Sequence, residues 1–487
     1  MRRASELELA LGERPDGMTL QRWLCAELRT AILAGRIAPG TRLPSTRDIA
    51  RQQGISRGTA LAAYEQLIAE GYLNGTTGSG TTVAPALPVA LLAGDSVADV
   101  RRASLRLSRQ GRLLADSPFA AREGATSARP FSPNQPDLRA FPRDVWHRLC
   151  SRQSRSTRPD DMGYADPAGD PLLRRAIAEH LRFAQRIACT ADNVMILASA
   201  QQALDLCARL LLDAGDSALV EDPGYPGAAR IFALTGAEVL GLPVDAGGMR
   251  TEALPPGRLA YVTAAHQSPL GGTLPVDRRL ALLAWADAQD AVIIEDDYDG
   301  EYRFDSAPLP AMKSLDRNGR VIYLGTFSKL LFPALRLAYV VVPDGLAEAF
   351  AAAISLTCRH QPMFQQAVLA AFIADGHFAR HLRQMRQLYG ERAACFAREC
   401  HSQLAGLLRI EPITTGLDAT ALLPAGSDDR AVAATLEQCG IAARPVSFYR
   451  LQRTAPPGLV MGFSSFGEEA IRRGVAAMLP ALETLME

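Results

Sequence analysis

No feature of this chain limits its fold more than the pattern from Phe131 onward, where short apolar runs alternate with helical segments. The runs at 194–197, 217–220, 259–262, 291–294 and 321–324 are too short for helices and too continuously apolar for strands with one wet face. Segments of helical periodicity, such as 202–214 and 278–289, separate them. Strands of this kind need cover on both faces, so the pattern predicts an α/β fold with a mostly parallel sheet between helices. Residues 131–487 are expected to form this large body.

The 487 residues are 48% apolar and 21% charged, a globular balance, and the formal net charge is zero. Neutrality excludes no nucleic-acid partner, because a small basic face is averaged away by a large neutral domain. The kind of basic residue is more informative. Of 52 basic residues all but two are arginine, the exceptions being Lys313 and Lys329. A guanidinium serves as well as an ammonium on a wet face, but it does not readily lose a proton and form an imine. A lysine in such a chain is therefore a candidate for specific chemistry, although Lys313, after the loop of Pro308 and Pro310, reads as a surface residue. The eight cysteines show no CxxC pair and no Cys/His ligand spacing, so neither a metal site nor a disulfide is expected. The start, Met1-Arg2-Arg3, lacks the apolar core of a signal peptide, and apolar stretches stop well short of ~20 residues. A cytoplasmic protein is expected.

Residues 15–84 read as a compact module. A helix over about 19–34 carries Leu20, Leu24, Leu28, Ala31 and Ile32 at helical spacing, and Gly35 stops it. Ser45 caps a short helix to Gln53, and Ser56 caps a longer one to about Glu70, with Ala60, Ala63, Tyr64 and Leu67 facing inward. A strand begins at Gly71-Tyr72-Leu73, and 75–80 forms a hairpin tip. Helix, turn, helix and glycine-tipped hairpin make a winged helix-turn-helix, whose second helix enters the major groove with its N-terminus nearest the bases. Ser56, Arg57 and Thr59 then reach phosphates and base edges, and Arg47 the backbone or a base, while Gly78 and Ser79 let the tip approach the minor groove. The same elements equally suit a protein-interaction module. Residues 85–130, rich in Ala, Pro, Arg and Ser, read as a linker leading into an arm with thirteen arginines against four acids over 101–158.

In the large body, Lys329 lies just beyond a buried strand, where desolvation lowers an amine's pKa and lets it condense with an aldehyde. Thr326, Ser328 and Arg336 offer two hydroxyls and a guanidinium fork to a phosphate dianion. Ser199, Ala200 and Gln201 open a helix after another strand, presenting backbone N–H groups to the same phosphate. Asp296, at the carboxyl end of a strand, suits a pyridine nitrogen that must stay protonated. Tyr298 suits a phenolic oxygen, and Tyr225 can stack on a ring. Together these choices describe a site for pyridoxal 5'-phosphate. The acids of 295–297, taken alone, equally suit Mg²⁺.

The N-terminal residues resemble the GntR family over 35–47, 55–59 and 64–73, with Gly58 departing where that family often has threonine. Residues 131–480 resemble the fold-type I aminotransferases through 164–169, 266–271, 295–299 and 325–339, and the order of the modules resembles the MocR/GabR subfamily of GntR regulators. The resemblance implies a smaller C-terminal α/β subdomain beside the large one. It implies an internal aldimine on Lys329, Asp296 on the ring nitrogen, Tyr298 on the phenolic oxygen, and Ser199, Ala200, Gln201, Thr326, Ser328 and Arg336 on phosphate. It further implies a homodimer, often head-to-tail, in which Tyr164 reaches the phosphate held by the other subunit. Two departures bear on activity. Val460 stands where aminotransferases carry the arginine that grips a substrate carboxylate, leaving Arg444 and Arg450 as substitutes, and 268–271 lacks the usual asparagine. The expected function is a DNA-binding regulator that senses pyridoxal phosphate, an amine or an amino acid; the alternative is a working aminotransferase with an appended DNA module.

Overall fold

In the computed structural model, residues 11–76, 80–85, 106–117, 119, 129–304, 310–453 and 455–486 are described. Contacts divide the chain into two compact units, with the division between Arg106 and Leu107.

The first unit consists of α1 (Leu20–Leu33), α2 (Thr46–Gln52), α3 (Arg57–Ala69) and a hairpin of β1 (Leu73–Thr76) and β2 (Gly80–Val83). Each helix begins after a hydroxyl side chain that accepts an otherwise unpaired backbone N–H: Thr19 from Arg22, Ser45 from Asp48, Ser56 from Thr59. Leu24, Leu28, Ile49, Ala60, Tyr64, Leu67 and Val83 share one core, and the Tyr64 hydroxyl donates to the Pro44 carbonyl at 3.0 Å. Leu20, the first of the residues at helical spacing in α1, is 40% exposed. The stripe of α1 that meets α3 runs through Gln21 and Cys25, which bond Gln66 and the Ala63 carbonyl, and Leu20 falls at its border.

Among the described residues the second unit holds twelve α-helices. They are α4 (Arg109–Ala115), α5 (Arg143–Ser156), α6 (Pro171–Ala184), α7 (Ala200–Leu211), α8 (Pro226–Leu234) and α9 (Val276–Gln289). After them come α10 (Phe327–Leu330), α11 (Ala347–Cys358), α12 (Met363–Ala374), α13 (His377–Gln403), α14 (Asp429–Gln438) and α15 (Glu468–Met486). Its main strands are β3 (Val194–Leu197), β4 (Ser217–Asp222), β5 (Glu238–Asp245), β6 (Gly248–Met249), β7 (Leu259–Val262), β8 (Val292–Asp297), β9 (Val321–Thr326) and β10 (Ala338–Val341). Among the described residues these form an eight-stranded sheet in the order β3-β10-β9-β8-β7-β4-β5-β6, in which β10 and β6 run against their neighbours. Alternation along β9 shows why the runs are apolar throughout. Val321 and Tyr323 turn toward the layer of α9, α6, α12 and α13, whereas Ile322 and Leu324 turn toward α7, α8 and α11. A smaller antiparallel sheet, β11 (Arg409–Ile410), β12 (Asp418–Leu422), β14 (Gly458–Gly462) and β13 (Arg444–Pro445), makes the second α/β layer with α14 and α15.

The linker expected over 85–130 contains structure at its far end. Residues 109–115 form α4, capped by Ser108, with Gln110 donating to the Leu234 carbonyl at 3.1 Å and Asp116 paired with Arg230 at 2.9 Å. Two turns are too few for a periodic pattern to register, and the partners lie more than a hundred residues away. By its contacts the second unit begins at Leu107. Among the described residues no helix is long and apolar enough to cross a membrane, and all eight cysteines are unpaired thiols.

Candidate functional site

The loops that follow β3, β4, β7, β8 and β9 meet at the carboxyl edge of the large sheet, where open α/β sheets bind ligands. They wall a cavity of about 370 Å³. Ser199, Ala200, Gln201, Tyr225, Asp296, Tyr298, Thr326, Ser328, Lys329 and Arg336 all line it, so ten residues chosen from separate parts of the sequence converge on one space.

Lys329 sits in the short α10, half-buried, and its Nζ donates to the Asn134 carbonyl at 2.9 Å. Removal from water pulls its pKa below the ordinary lysine value, against the opposing charges of Asp418 and Asp299. Asn134 has a left-handed backbone (φ 60°) and its own N–H donates to Asp418, so the carbonyl that holds Lys329 is itself fixed. Asp296 is buried, and burial raises its carboxyl to about 6, with the Tyr261 hydroxyl bond and the Lys329 charge acting the other way. Oδ2 accepts from Tyr261 at 2.7 Å, whereas Oδ1 is buried with no hydrogen-bond partner among the described residues. Such an acceptor is costly unless a ligand supplies a donor. That vacancy in bonding, on a carboxyl beside a lowered-pKa lysine, fits a protonated ring nitrogen.

Strand alternation separates the acids that equally suited Mg²⁺. Glu295 accepts the N–H groups of Met312 and Lys313, and Asp297 accepts from Tyr323 and Gly300, on the face opposite Asp296. The three carboxyls therefore do not converge. Ser199 and Thr326 cap α7 and α10 with their oxygens, which leaves each hydroxyl free to donate, and Arg336 takes a left-handed backbone (φ 53°) that aims its side chain at the same edge. The Tyr298 hydroxyl lies 3.1 Å from His266 Nδ1, which also contacts Asp299.

Tyr164 is 89% exposed, beside Arg359 and His360, and does not line the cavity of its own chain. Two other expectations need correction. Lys313 is not a surface residue: its Nζ donates to the Val321 carbonyl at 2.6 Å and lies 3.8 Å from Asp316, because a 3₁₀ turn pins it under β9. Arg450 is exposed and does not line the cavity; Arg444 does, and its backbone is in register with Val460. Sequence reasoning missed Asn134, Tyr261, Phe119 and Asp222. Phe119, next to α4, stacks on Tyr225 at 5.8 Å, and Asp222 accepts the N–H groups of Leu451, Gln452 and Arg453, clamping the loop that carries Phe448 and Tyr449. The Asp222 contacts span more than 200 residues, so no local pattern records them.

In the first unit, Arg47 and Arg57 are exposed and form no ion pair among the described residues. Ser56 and Thr59 share a hydrogen bond of 2.8 Å at the N-terminus of α3. Gly78 and Ser79 lie outside the described residues.

The fold and site define a regulator built from two known domain types. Residues 20–83 match bacterial regulatory proteins of the gntR family, and 132–471 match aminotransferases of class I and II. The chain is 38% identical to the probable rhizopine catabolism regulatory protein MocR of Rhizobium meliloti, over 97% of this chain and 96% of that one. It is 32% identical to the pyridoxine biosynthesis transcriptional regulator PdxR of Corynebacterium glutamicum, over 98% and 99%. The second unit is also similar to kynurenine aminotransferase of Pyrococcus horikoshii (25% identity, TM-score 0.70, covering 79% of this chain and 96% of that one). The chain belongs to the MocR-type transcription regulators of the GntR family, with an N-terminal DNA-binding domain and a fold-type I aminotransferase domain.

Proposed function

We propose that this regulator reads the state of its cavity. Pyridoxal 5'-phosphate held at Lys329, and an amine or amino acid that joins it there, set the affinity of the N-terminal domain for operator DNA. The observation that carries this reading is the unpartnered Asp296 Oδ1 in the cavity that Lys329 lines. The cofactor, when bound, supplies an aldehyde that condenses reversibly with primary amines and a ring that draws electrons. Lys329 is the resident amine. Asp296 accepts a hydrogen bond from the protonated ring nitrogen, Tyr298 bonds the phenolic oxygen, and Tyr225 stacks on the ring, backed by Phe119. Ser199, Ala200, Gln201, Thr326, Ser328 and Arg336 hold the phosphate. Tyr164 reaches the phosphate of a second subunit in a head-to-tail homodimer, and its exposure in one chain agrees with that use. Val460, where aminotransferases carry an arginine, and the turn 268–271, which lacks their usual asparagine, favour sensing over turnover. As a DNA-binding regulator the protein works in the cytoplasm.

Residues 15–84 are the DNA-binding module, with Arg47, Ser56, Arg57, Thr59, Gly78 and Ser79 at the duplex. Sensing requires two states with different ligand affinities. The α4 segment suits the link: it is the first described element after 86–105, and its neighbour Phe119 forms part of the cavity wall. Titrating the purified chain with pyridoxal phosphate and then with amines, while following both its absorption and its DNA binding, tests the reading. DNA affinity that ignores the cavity at every step overturns it.

Two smaller effects follow. Arg57→Ala is expected to weaken binding to duplexes selected by the wild-type chain by on the order of 1–3 kcal/mol, with thermal stability unchanged, measured by anisotropy over a salt series. Phe119→Ala removes a ring pair worth about 1 kcal/mol and is expected to weaken cofactor affinity several-fold by fluorescence titration.

A further inference from the structure

Residues 129–137 run along one wall of the cavity, which Pro133, Asn134 and Gln135 line. Among the described residues, the hydrogen bonds of this segment beyond its own neighbours go almost entirely to one side. The Arg129 side chain pairs with Glu437 of α14, and the Pro130 and Phe131 carbonyls accept from Ala442 and Gly462 at 2.9 Å. The Asn134 N–H donates to Asp418 of β12 at 2.6 Å, and the Gln135 carbonyl accepts from the hydroxyls of Ser464 and Ser465, both at 2.7 Å. Asp137 is held at 2.8 Å by Tyr389 and by Arg392, both on α13, which packs along α15. These partners belong to the smaller sheet or to helices packed with it. The exception is Lys329, directly after β9 of the large sheet, whose Nζ donates to the Asn134 carbonyl at 2.9 Å. The segment is also tightly wound. Phe131 and Asn134 both have left-handed backbones, φ 63° and 60°, a conformation that is uncommon for asparagine and costly for phenylalanine. It persists only while its anchors hold. One amine is therefore both the tie from the large sheet and the group placed to condense with an aldehyde.

We propose that the bond from Lys329 Nζ to the Asn134 carbonyl is a latch: it holds residues 131–137 while the amine is free and releases them when the amine condenses with pyridoxal phosphate. This rests on the reading that the cavity binds pyridoxal phosphate at Lys329. Condensation of the neutral amine forms a C=N bond, and both amine hydrogens leave with the aldehyde oxygen as water. A proton that the nitrogen regains is shared with the phenolic oxygen of the ring, so the Asn134 carbonyl loses its donor. A carbonyl stripped of its donor is costly unless water reaches it, and the segment opens around Asn134. An incoming amine that takes over the C=N bond returns Lys329 with both its hydrogens, and the latch closes again. The loaded chain without amine is thus the odd one of three conditions, which supplies the two states that sensing requires.

Hydrogen exchange of the full-length chain, read by mass spectrometry, tests this. Pro133 and Pro136 carry no N–H, so a peptide over 131–138 reports few amides, among them the bonded N–H groups of Asn134 and Asp137. Loading with pyridoxal phosphate is expected to speed exchange at Asn134 at least about tenfold. A ligand that merely filled the cavity would slow it. Pyridoxine 5'-phosphate, which has the same ring and phosphate but no aldehyde, is accordingly expected to leave the rate at or below that of the cofactor-free chain. Methoxyamine, which takes the aldehyde from Lys329 as an oxime whatever the natural effector, is expected to bring the rate back to within about threefold of the cofactor-free value. Lys329→Ala is expected to exchange fast at Asn134 without any cofactor, and melting curves show that the variant is folded. A loaded wild-type chain that exchanges no faster than the cofactor-free one overturns the latch alone, as does a folded Lys329→Ala chain that exchanges as slowly as wild type. Wild-type protein whose absorption shows no uptake of pyridoxal phosphate overturns both readings.

Discussion

A Lys329→Ala chain incubated with pyridoxal phosphate and reduced with borohydride is expected to carry no phosphopyridoxyl group on any lysine, where the wild-type chain carries one, at residue 329. Few proteins give so clean a contrast, because only two lysines exist and the other is not available. The Lys313 ammonium spends one donor on the Val321 carbonyl and stands beside Asp316, and burial keeps it from the solvent an incoming aldehyde needs. Desolvation lowers the pKa of both amines and each donates to a backbone carbonyl, so access decides: Lys329 faces a cavity of about 370 Å³ and forms no ion pair among the described residues, whereas Lys313 lines no part of that cavity and pairs with Asp316. Removing the covalent link is expected to weaken cofactor retention by two orders of magnitude or more, on the order of 3 kcal/mol. Peptide mapping checks the site, and a label found on Lys313 or retained in Lys329→Ala overturns the assignment. The same variant separates the two ways the cavity could signal. If the empty cavity sets DNA affinity, Lys329→Ala matches cofactor-free wild type at pyridoxal phosphate concentrations that just saturate the wild-type chain.

What made Lys329 and Asp296 legible in the sequence is that both follow buried strands directly, so chemistry and position lie within a few residues of each other. The large sheet was legible for the same reason: β9 is apolar at 321, 322, 323 and 324 because both its faces are covered. The winged module was read from its caps, since Ser45 and Ser56 mark helix starts by a bond three residues long. The rest depends on distance in the chain. Arg444 reaches the cavity only because Asp222, at the end of β4, accepts three backbone N–H groups from 451–453, and no local pattern records that bond. Phe119 lies in a stretch with a linker's composition, yet it meets Tyr225 because Arg230 and the Leu234 carbonyl hold α4 nearby. Lys313 was misplaced because a proline-rich loop suggests surface, whereas Glu295 ties the following turn beneath the sheet through two N–H bonds. Sequence spacing reports what a residue sits next to along the chain, and these three are decided by what crosses over it.

Asp296 is also expected to make the stability of the cofactor-free chain depend on pH. Its carboxyl is raised to about 6 by burial, whereas an aspartate in an unfolded chain titrates near 3.9. Between those values the folded state keeps a proton that the unfolded state gives up. The stability it contributes is fully present below about pH 4 and is lost as pH rises through about 6. Asp418, also raised to about 6, and Glu221 and Asp297, each raised to about 7, act in the same direction because each is buried. The melting temperature of the cofactor-free wild-type chain should therefore fall from pH 5 to pH 8. Asp296→Asn cannot ionise, so its fall should be shallower by on the order of 1.5 kcal/mol over that range, about half of the group's contribution having already gone by pH 5 and the background from the other three carboxyls being common to both. A protonated ring nitrogen facing Oδ1 favours the carboxylate, and binding at pH 5 must first remove a proton from Asp296. The stabilisation given by pyridoxal phosphate should consequently grow between pH 5 and pH 7 in the wild-type chain and stay nearly level in Asp296→Asn. Equal slopes for the two cofactor-free proteins would mean that Asp296 keeps no proton in the fold between pH 5 and pH 8, and would overturn the expected pH dependence of its contribution.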